Sequence, residues 1–244
     1  MSSSGKEETA GSPVTLLEAT PEMCYYCFEV LEHEHAKQLQ QLDYDGGSAS
    51  PSSSSGQKRK NAPEAPSPDF YHIPDYECPL FVGWKKDYSK DGEGKLRGCK
   101  GTHGSLPLHE GLREYSYLSA FDDSRFSPIR PDEVPRLACS VNLLFAFEKA
   151  KHCYDWEVGV HGVRIDFKDR RGIHRSATFL PSVAPQFGYD TRETIERLIE
   201  KSGCDDVLDK ELEKRIKTVR FQASLCNAEY QDYLNYKKNK RKEK

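Results

Sequence analysis

The chain has 244 residues, enough for one large domain or two small ones, and 36% of them are hydrophobic. Its formal net charge of −3 excludes the strongly basic balance that is typical of general nucleic-acid binding proteins. No apolar run approaches the ~20 residues needed to cross a bilayer, and the N-terminus lacks the charged-then-apolar order of a secretory signal. These features predict a soluble, intracellular protein, in the cytoplasm, the nucleus or both, with no membrane partner.

The eight cysteines are spread along the chain, and only Cys24 and Cys27 are close in sequence. No second C-x-x-C or H-x-x-x-H pair follows to complete a four-ligand zinc site. In the predicted reducing compartment the thiols are expected to stay free. Cys24 and Cys27 could form a redox pair or belong to the apolar face of a helix. The sequence predicts no metal site and identifies no cofactor.

The N-terminal part of the chain divides into three segments by composition. Residues 1–19 are rich in Ser, Glu and Gly and predict a disordered leader. Residues 20–42 predict a helix, because Thr20 can cap it and Pro21 suits its first position. Residues 43–69 are rich in Ser and Pro and predict a flexible insert. The apolar face of the helix is predicted to comprise Met23, Tyr26, Cys27, Val30 and Leu31.

Two short basic segments lie outside the predicted main body of the domain, which spans residues 70–236. Lys58–Lys60 lie within the insert, and the tail 237–244 holds six basic residues and one acidic residue. Each segment could be a nuclear import signal or a solvated run of charge. The tail is predicted to be disordered.

The main body alternates strand and helix patterns without a regular βαβ period. One helix is predicted after Ser105, and a second begins at the capping-box pattern of Asp190 with Glu193 and ends at Gly203. A short last helix is predicted over residues 227–236. Several strands are joined by hairpin turns, so the fold class predicted is α+β with an antiparallel sheet. The predicted strands cover residues 79–86, 96–102, 137–147, 156–167, 173–180 and 216–223.

One predicted hairpin contains Cys99, which has a glycine on either side in the sequence, Gly98 and Gly101. Asp91–Gly94 supply the turn, so Leu96–Thr102 (LRGCKGT) is the return strand. This strand is predicted to pair with Phe81–Trp84.

The chemistry of this return strand centres on Cys99. Arg97 and Lys100 give it an electropositive setting, which favours the thiolate, and Arg97 shares a face with it in an extended strand. Gly98 and Gly101 allow close approach of a ligand, and the backbone there could form an anion-binding nest. These residues predict a nucleophile beside a substrate anion. The alternative is a buried cysteine in a strand that ends at a glycine turn.

His161 is the predicted general base for such a nucleophile, since histidine titrates near neutral pH. It lies where the strand pattern slips in phase, next to Gly162, which predicts a bulge or a turn. Glu157 could orient His161 or act alone as an acid or base. The alternatives are a turn histidine bonded to its own backbone and an ordinary strand carboxylate.

Asp123 and Arg125 follow the predicted helix in a short D-S-R-F loop. They could bind an anionic substrate, or they could pin the loop by a salt bridge.

Several segments combine in one resemblance: LRGCKGT, the helix SLPLHEGLREYSYLSAFDDSRFSPI, and then PRLACSVNLL, YDWEVGVHGVRIDF and TFLPSV. Together they resemble the AMME-syndrome candidate-region protein family (AMMECR-one domain), whose signature is the Leu-Arg-Gly-Cys segment. The resemblance covers about residues 24–236. The C-x-x-C-F-x-V-L opening of the first helix looks like the animal members.

The resemblance implies a two-lobed α+β domain: an antiparallel sheet packed by helices, a smaller second lobe, and the signature segment at the cleft between them. The family has no settled activity, and suggestions centre on nucleotide or RNA metabolism. Prokaryotic relatives occur beside, or fused with, a Memo-type domain and a radical-SAM protein, which implies a Memo-type partner. This chain carries no C-x-x-x-C-x-x-C cluster motif, so the radical enzyme is not expected here.

Two functions therefore stay open. The first is an enzyme that uses Cys99 on a nucleotide-like or phosphate-bearing anion. The second is an interaction module that binds a protein, a peptide or RNA in the cleft and performs no chemistry. Oligomeric state is left open.

Overall fold

The computed structural model describes residues 17–45, 67–87 and 94–242, with only the backbone described at 42–45, 69 and 70. Most of the predicted leader and insert, including Lys58–Lys60, and most of the predicted turn at 91–94 lie outside the described residues. None of the helices in the described ranges is long and apolar enough to cross a membrane.

The fold is built on a six-stranded antiparallel sheet in the order β3-β2-β5-β8-β6-β7. A separate two-stranded ribbon pairs β1 with β4. The strands are β1 (Glu77–Cys78), β2 (Leu80–Lys86), β3 (Lys95–Gly101), β4 (Leu106–Pro107), β5 (Leu137–Lys149), β6 (Gly162–Lys168), β7 (His174–Phe179) and β8 (Lys217–Glu229). The predicted α+β class with an antiparallel sheet is confirmed.

The described ranges contain six helices, and five of them enclose the cores of this sheet in two groups. The helices are α1 (Pro21–Asp45), α2 (Leu108–Phe121), α3 (Val183–Phe187), α4 (Thr191–Lys201), α5 (Lys210–Arg215) and α6 (Tyr230–Lys240). Short 3-10 helices span Pro68–Tyr71 and Pro131–Arg136. Helices α1, α2 and α6 enclose a larger core with β2 and β5, and α4 and α5 enclose a smaller core with β6 and β7.

Both cores lie on the same face of the sheet. On β8, Ala228 belongs to the larger core, and Thr218 stands opposite Ile165 of the smaller core. An even number of residues separates Ala228 from Thr218, and side chains alternate along a strand, so both point to one face. The opposite face is free of both cores, and we call it the inner face.

The inner face is concave. In a flat sheet, with ~4.8 Å between neighbouring strands, β3 would stand about 14 Å from β8 and about 24 Å from β7. Yet the ring of His103, just beyond β3, lies 6.1 Å from that of Phe221 on β8. Lys201, at the end of the α4 helix that packs near β7, acts electrostatically on Cys99 of β3. The curl brings the two edges of the sheet towards each other.

Two predicted boundaries at the C-terminal end are wrong. The predicted strand 216–223 extends to Glu229 in β8, because residues 223–229 pair with β5 in the middle of the sheet. The last helix therefore begins at Tyr230 and runs to Lys240, into the tail that was predicted to be disordered.

Two other predicted elements are shorter than expected. In the predicted strand 156–167, only the part from Gly162 is a strand. The residues before it form turns, in which the indole N–H of Trp156 donates to the carbonyl of Cys153. The helix predicted from Ser105 begins at Leu108, because the two preceding residues pair with β1.

Candidate functional site

Cys99 lies on the edge strand β3, opposite Gly83 of β2, and points to the inner face. This pairing confirms the prediction that the strand pairs with Phe81–Trp84. The free side of the strand is occupied by the loop after α2. The N–H of Cys99 donates to Oδ2 of Asp123 at 2.9 Å, and its carbonyl accepts from Nη2 of Arg125 at 3.2 Å. The backbone around Cys99 is thus held on both sides.

Asp123 and Arg125 also form an ion pair with each other. The carboxylate of Asp123 is 4% exposed and accepts from Nε and Nη2 of Arg125 at 2.9 and 2.6 Å. These bonds, together with the N–H of Cys99, hold the pKa of Asp123 far below its usual range, although burial opposes them. The arrangement matches the salt-bridge alternative for this loop, while more than half of the Arg125 side chain stays exposed.

Two glycines of β3 are required by packing. A Cβ added to Gly98 would lie 1.8 Å from the carbonyl oxygen of Ser119, so α2 can pack here only against a glycine. A Cβ on Gly101 would lie 2.3 Å from the carbonyl oxygen of Leu80. Gly98 therefore brings the strand and α2 into contact, and Gly101 allows close contact with β2.

The two cations adjacent to Cys99 in sequence do not face its thiol. Arg97 is the extra residue of a bulge, and its guanidinium donates to both carboxylate oxygens of Glu133 at 3.0 and 2.9 Å. The expectation that Arg97 shares a face with Cys99 is therefore wrong, because the bulge interrupts the alternation. Lys100 stands opposite Val82 and lies on the other face of the sheet.

The cations that act on Cys99 are Arg125 and Lys201. Burial raises the pKa of the Cys99 thiol, Arg125 lowers it, Asp123 raises it and Lys201 lowers it, so that it stays above the ordinary value. The thiol is protonated at neutral pH. Lys201 donates to the carbonyl of Thr178 at 2.8 Å and is itself desolvated, which lowers its pKa. Sequence reasoning missed Lys201, which looks like an ordinary cation in the last turn of a helix.

Aromatic rings and a histidine lie beside these cations on the inner face. The ring of His103 lies 5.2 Å from that of Phe81 and 6.1 Å from that of Phe221, which stacks on Phe147 at 5.2 Å. Nδ1 of His103 is buried and has no hydrogen-bond partner among the described residues. Burial and the charges of Arg164 and Lys201 lower the pKa of His103, so its ring is neutral at pH 7.

His161 lies in the turn before β6. Its Nδ1 accepts a 3.1 Å hydrogen bond from the N–H of Glu157, and its own N–H donates to the Glu157 carbonyl. No hydrogen bond joins its ring to Cys99 in the ranges that the structure describes. This geometry matches the turn-histidine alternative, and the Glu157 side chain is exposed.

Within the described ranges, one group of three potential metal-ligand atoms lies within 4.8 Å of one another, formed by Cys204, Asp205 and Asp206. The carboxylate of Asp206 accepts the N–H of Arg170, and Asp205 lies 3.9 Å from the guanidinium of Arg171. These residues are apart from the inner-face site.

The inner face thus combines three properties. It presents the neutral thiol of Cys99 and the flat rings of Phe81 and Phe221 with His103 between them. Two cations act electrostatically there: Lys201 on Cys99 and His103, and Arg164, which is paired with Asp166, on His103. Cations favour an anion, and aromatic rings favour a flat ring system. This combination suits a ligand that carries both an anionic group and a flat ring system.

Comparison with known proteins identifies the relatives of this chain. An uncharacterised protein of Arabidopsis thaliana is 35% identical over 224 residues, 91% of each chain. One of Schizosaccharomyces pombe is 35% identical over 216 residues, 88% of this chain and 95% of the relative. The crystal structure of an uncharacterised protein of Pyrococcus horikoshii shares the fold, with a TM-score of 0.58 and 21% identity over 87% of this chain and 94% of that one. The AMMECR1 family model matches residues 24–226, and the chain belongs to the AMMECR1 family.

Proposed function

We propose that the inner face binds a nucleotide-like or other phosphate-bearing anion, and that Cys99 acts on it as a covalent nucleophile. The observation that supports this is the convergence of Lys201 and Arg164 on the face that carries the Cys99 thiol. Both cations come from parts of the chain distant from β3, so the curl of the sheet is what assembles them. Arg125 is a third phosphate contact, since its side chain is 55% exposed.

The ring moiety of the ligand would lie against the aromatic rings of the inner face. Phe81, Phe147 and Phe221 line this part, and the adjacent Nδ1 of His103 is a hydrogen-bonding atom with no protein partner among the described residues. A base edge can supply that partner. Arg97, Gly98 and Gly101 support the ligand indirectly, by fixing the strand, and Lys100, on the other face of the sheet, does not contact it.

A nucleophilic role for Cys99 requires a base, because its raised pKa keeps the thiol protonated. His103 suits this role better than His161. The Nδ1 of His161 accepts from the N–H of Glu157, so the neutral ring carries its proton on Nε2 and offers no free acceptor. His103 is neutral and shares the electrostatic environment of Lys201 with Cys99. His161, with Glu157 beside it, is the second candidate for the general base.

The test is alkylation of Cys99 with and without an anion. The native protein is treated with iodoacetamide in the presence of AMP, adenosine or inorganic phosphate, and Cys99 is followed by mass spectrometry. We expect AMP to protect Cys99 more than adenosine or phosphate does. Arg164→Gln should weaken this protection, and Arg113→Gln, on the outer surface of α2, should not. Equal modification with and without AMP would exclude the site as a nucleotide pocket.

The second candidate is a non-catalytic interaction module for RNA, a protein or a peptide. Two observations favour it: the raised pKa of Cys99, and a basic groove of about 410 Å³ on the smaller lobe. A phosphate backbone is the partner that such a groove fits. Binding of a fluorescent single-stranded RNA that falls steeply with salt, and is lost in Lys214→Glu/Lys217→Glu, would support this candidate. The basic side chains that line the groove are Lys168, His174, Lys214, Arg215 and Lys217.

Family analogy adds a Memo-type protein as a proposed partner and the cytoplasm or nucleus as the proposed location. Co-purification with a Memo-type protein and cell fractionation test these proposals. Removal of residues 58–60 or 241–244 tests the basic segments as import signals.

A further inference from the structure

Five of the eight cysteines belong to the larger core or pack against it, and four of these form one group away from the inner face. Cys24 and Cys27 come from α1, Cys139 from β5 and Cys226 from β8. The Cys24 side chain interacts electrostatically with those of Cys139 and Cys226, and Cys139 also interacts with the side chain of Cys27. The four thiols form a row in the order Cys226, Cys24, Cys139, Cys27.

Local structure explains this row. Cys24 and Cys27 are three residues apart on a helix, so both face the sheet. On the sheet, Cys139 stands opposite Ala228 and Cys226 opposite Val141, which places the two cysteines diagonally on the same face. Helix α1 lies over this diagonal, and the side chain of Cys24 approaches both Cys139 and Cys226.

Solvent reaches the row only from one end. Cys24, Cys27 and Cys139 are 0% exposed, whereas Cys226 is half-buried. No three sulfur atoms of the row lie within 4.8 Å of one another, judged over the residues that the structure describes, so the row is not a preformed metal site. A contact between one accessible thiol and one buried thiol is instead the arrangement of a disulfide-forming pair.

We propose that hydrogen peroxide converts Cys226 and Cys24 into a reversible disulfide that joins β8 to α1. In the first step the Cys226 sulfur attacks one peroxide oxygen, the O–O bond breaks, and the other oxygen leaves as water with the thiol proton. In the second step the Cys24 sulfur attacks the sulfenic sulfur of Cys226, the S–O bond breaks, and the oxygen leaves as a second water with the Cys24 thiol proton. Two thiols are oxidised and one peroxide is reduced.

The electrostatics agree with these roles. The thiol of Cys24 donates to the carbonyl oxygen of Cys226 at 3.5 Å, so the two residues are already in contact. Because Cys24 is buried and Cys226 is not, Cys24 takes the second step, and its interactions with Cys139 and Cys226 lower its pKa to about 5 against the effect of burial. The interaction of the Cys226 thiol with Cys24, together with burial, raises the pKa of Cys226. The first step is therefore slow, and millimolar peroxide is the suitable probe.

The test uses the full chain with its native cysteines. The protein is treated with hydrogen peroxide, remaining thiols are blocked with N-ethylmaleimide under denaturing conditions, and a non-reducing digest is read by mass spectrometry. We expect one cross-linked peptide pair, Cys24 with Cys226, that disappears after dithiothreitol. Cys226→Ser should abolish it, and Cys204→Ser, which changes a cysteine of the smaller core, should leave it unchanged.

Other products of the wild-type protein would overturn the proposal. These are the absence of any Cys24–Cys226 peptide, a Cys24–Cys139 disulfide in its place, or conversion of Cys226 to the sulfinic acid with Cys24 still free. Because the wild-type digest alone decides between them, the test does not depend on the folding of a variant.

Discussion

Cys99 and Asp123 are joined by a 2.9 Å hydrogen bond from the main-chain N–H of the first to the carboxylate of the second. This bond satisfies a donor on the outer edge of the sheet, which would otherwise be free to pair with another strand. The same carboxylate accepts from Arg125, whose guanidinium returns to the carbonyl of Cys99. One side chain thereby links the signature strand to the loop after α2.

Asp123→Ala should destabilise the protein by about 3 kcal/mol, because the buried carboxylate is bonded to both a main-chain N–H and a guanidinium. Urea denaturation at neutral pH measures the free energy of unfolding. The matched control is Asp132→Ala, which removes an aspartate from an exposed pair with Arg130 and should cost less than about 0.5 kcal/mol. Equal effects of the two substitutions would contradict this structural role of Asp123.

The acid side of the stability curve should depend on Asp123 and Glu133. Both have a pKa far below the unfolded values of about 3.9 and 4.3, since Arg125 bonds the first and Arg97 and Lys86 bond the second. At pH values between the folded and unfolded pKa values of these carboxyls, the unfolded chain binds more protons than the folded chain. The stability they contribute is therefore complete above about pH 5 and is lost as pH falls.

Denaturation of the wild type and of Asp123→Asn at several pH values from 7 to 3 checks this dependence. The difference between their free energies of unfolding should shrink as the pH falls below about 4. Asp132→Asn serves as the control, with a small difference from the wild type at every pH. A wild-type advantage over Asp123→Asn that persists undiminished at pH 3 would be the contrary result.

Gly98→Ala should unfold the protein or cost more than about 4 kcal/mol. The added methyl would lie 1.8 Å from the carbonyl oxygen of Ser119, and backbone atoms on both sides cannot move apart without separating α2 from the sheet. Gly104→Ala is the control, since the nearest atom to its methyl is Oγ1 of Thr102 at 3.4 Å. Thermal unfolding of both variants decides the matter, and a Gly98→Ala protein as stable as Gly104→Ala would refute the packing role.

The sequence could predict elements whose signals are local. The capping box of Asp190 with Glu193 is confirmed, with reciprocal hydrogen bonds of 2.8 and 3.0 Å, and Gly203 ends that helix with a positive φ of 74°. The predicted apolar residues of α1 are buried. Cys24 and Phe28 are buried as well, because the helix is covered by the sheet on one side and by α2 and α6 on others, which periodicity does not show.

Three residues of the candidate site, Cys99, Asp123 and Arg125, could be predicted from unusual local sequence, and the loop after α2 does bring the last two to Cys99. The other cation that acts on the thiol depends on the curl of the sheet. A one-residue bulge turns Arg97 away, and the pairing with Val82 places Lys100 on the other face. Lys201 enters the site through long-range topology, for which no local signal exists.

Lys201→Gln should slow the alkylation of Cys99, because Lys201 lowers the pKa of the thiol and its loss leaves less thiolate. We expect a roughly threefold lower iodoacetamide rate at pH 8, with the midpoint of the pH profile moved upwards. Lys100→Gln is the matched control, because Lys100 is adjacent in sequence but lies on the other face. A larger effect of Lys100→Gln than of Lys201→Gln would show that the sequence neighbour controls the thiol.

Lys237→Ala tests whether residues 237–240, the part of the basic tail that belongs to α6, contribute to the stability of the fold. Its ammonium donates to Glu32 at 3.0 Å and to the hydroxyl of Tyr233 at 2.9 Å, and so joins α6 to α1. Burial raises the pKa of Glu32, but its bonds with Tyr230, Lys237 and Tyr233 outweigh this, and its pKa is lowered. Removing one donor should therefore cost about 1 kcal/mol.

The comparison is Lys238→Ala, which removes the same charge from an exposed position of the same helix. Urea denaturation at low and high salt separates the specific bonds of Lys237 from the general effect of removing a positive charge. The general effect changes both variants equally and is screened by salt. The loss in Lys237→Ala should persist in part at 0.5 M salt, because its hydrogen bonds are partly buried. If the two variants unfold at the same urea concentration, the tail from Lys237 onwards adds nothing to the fold.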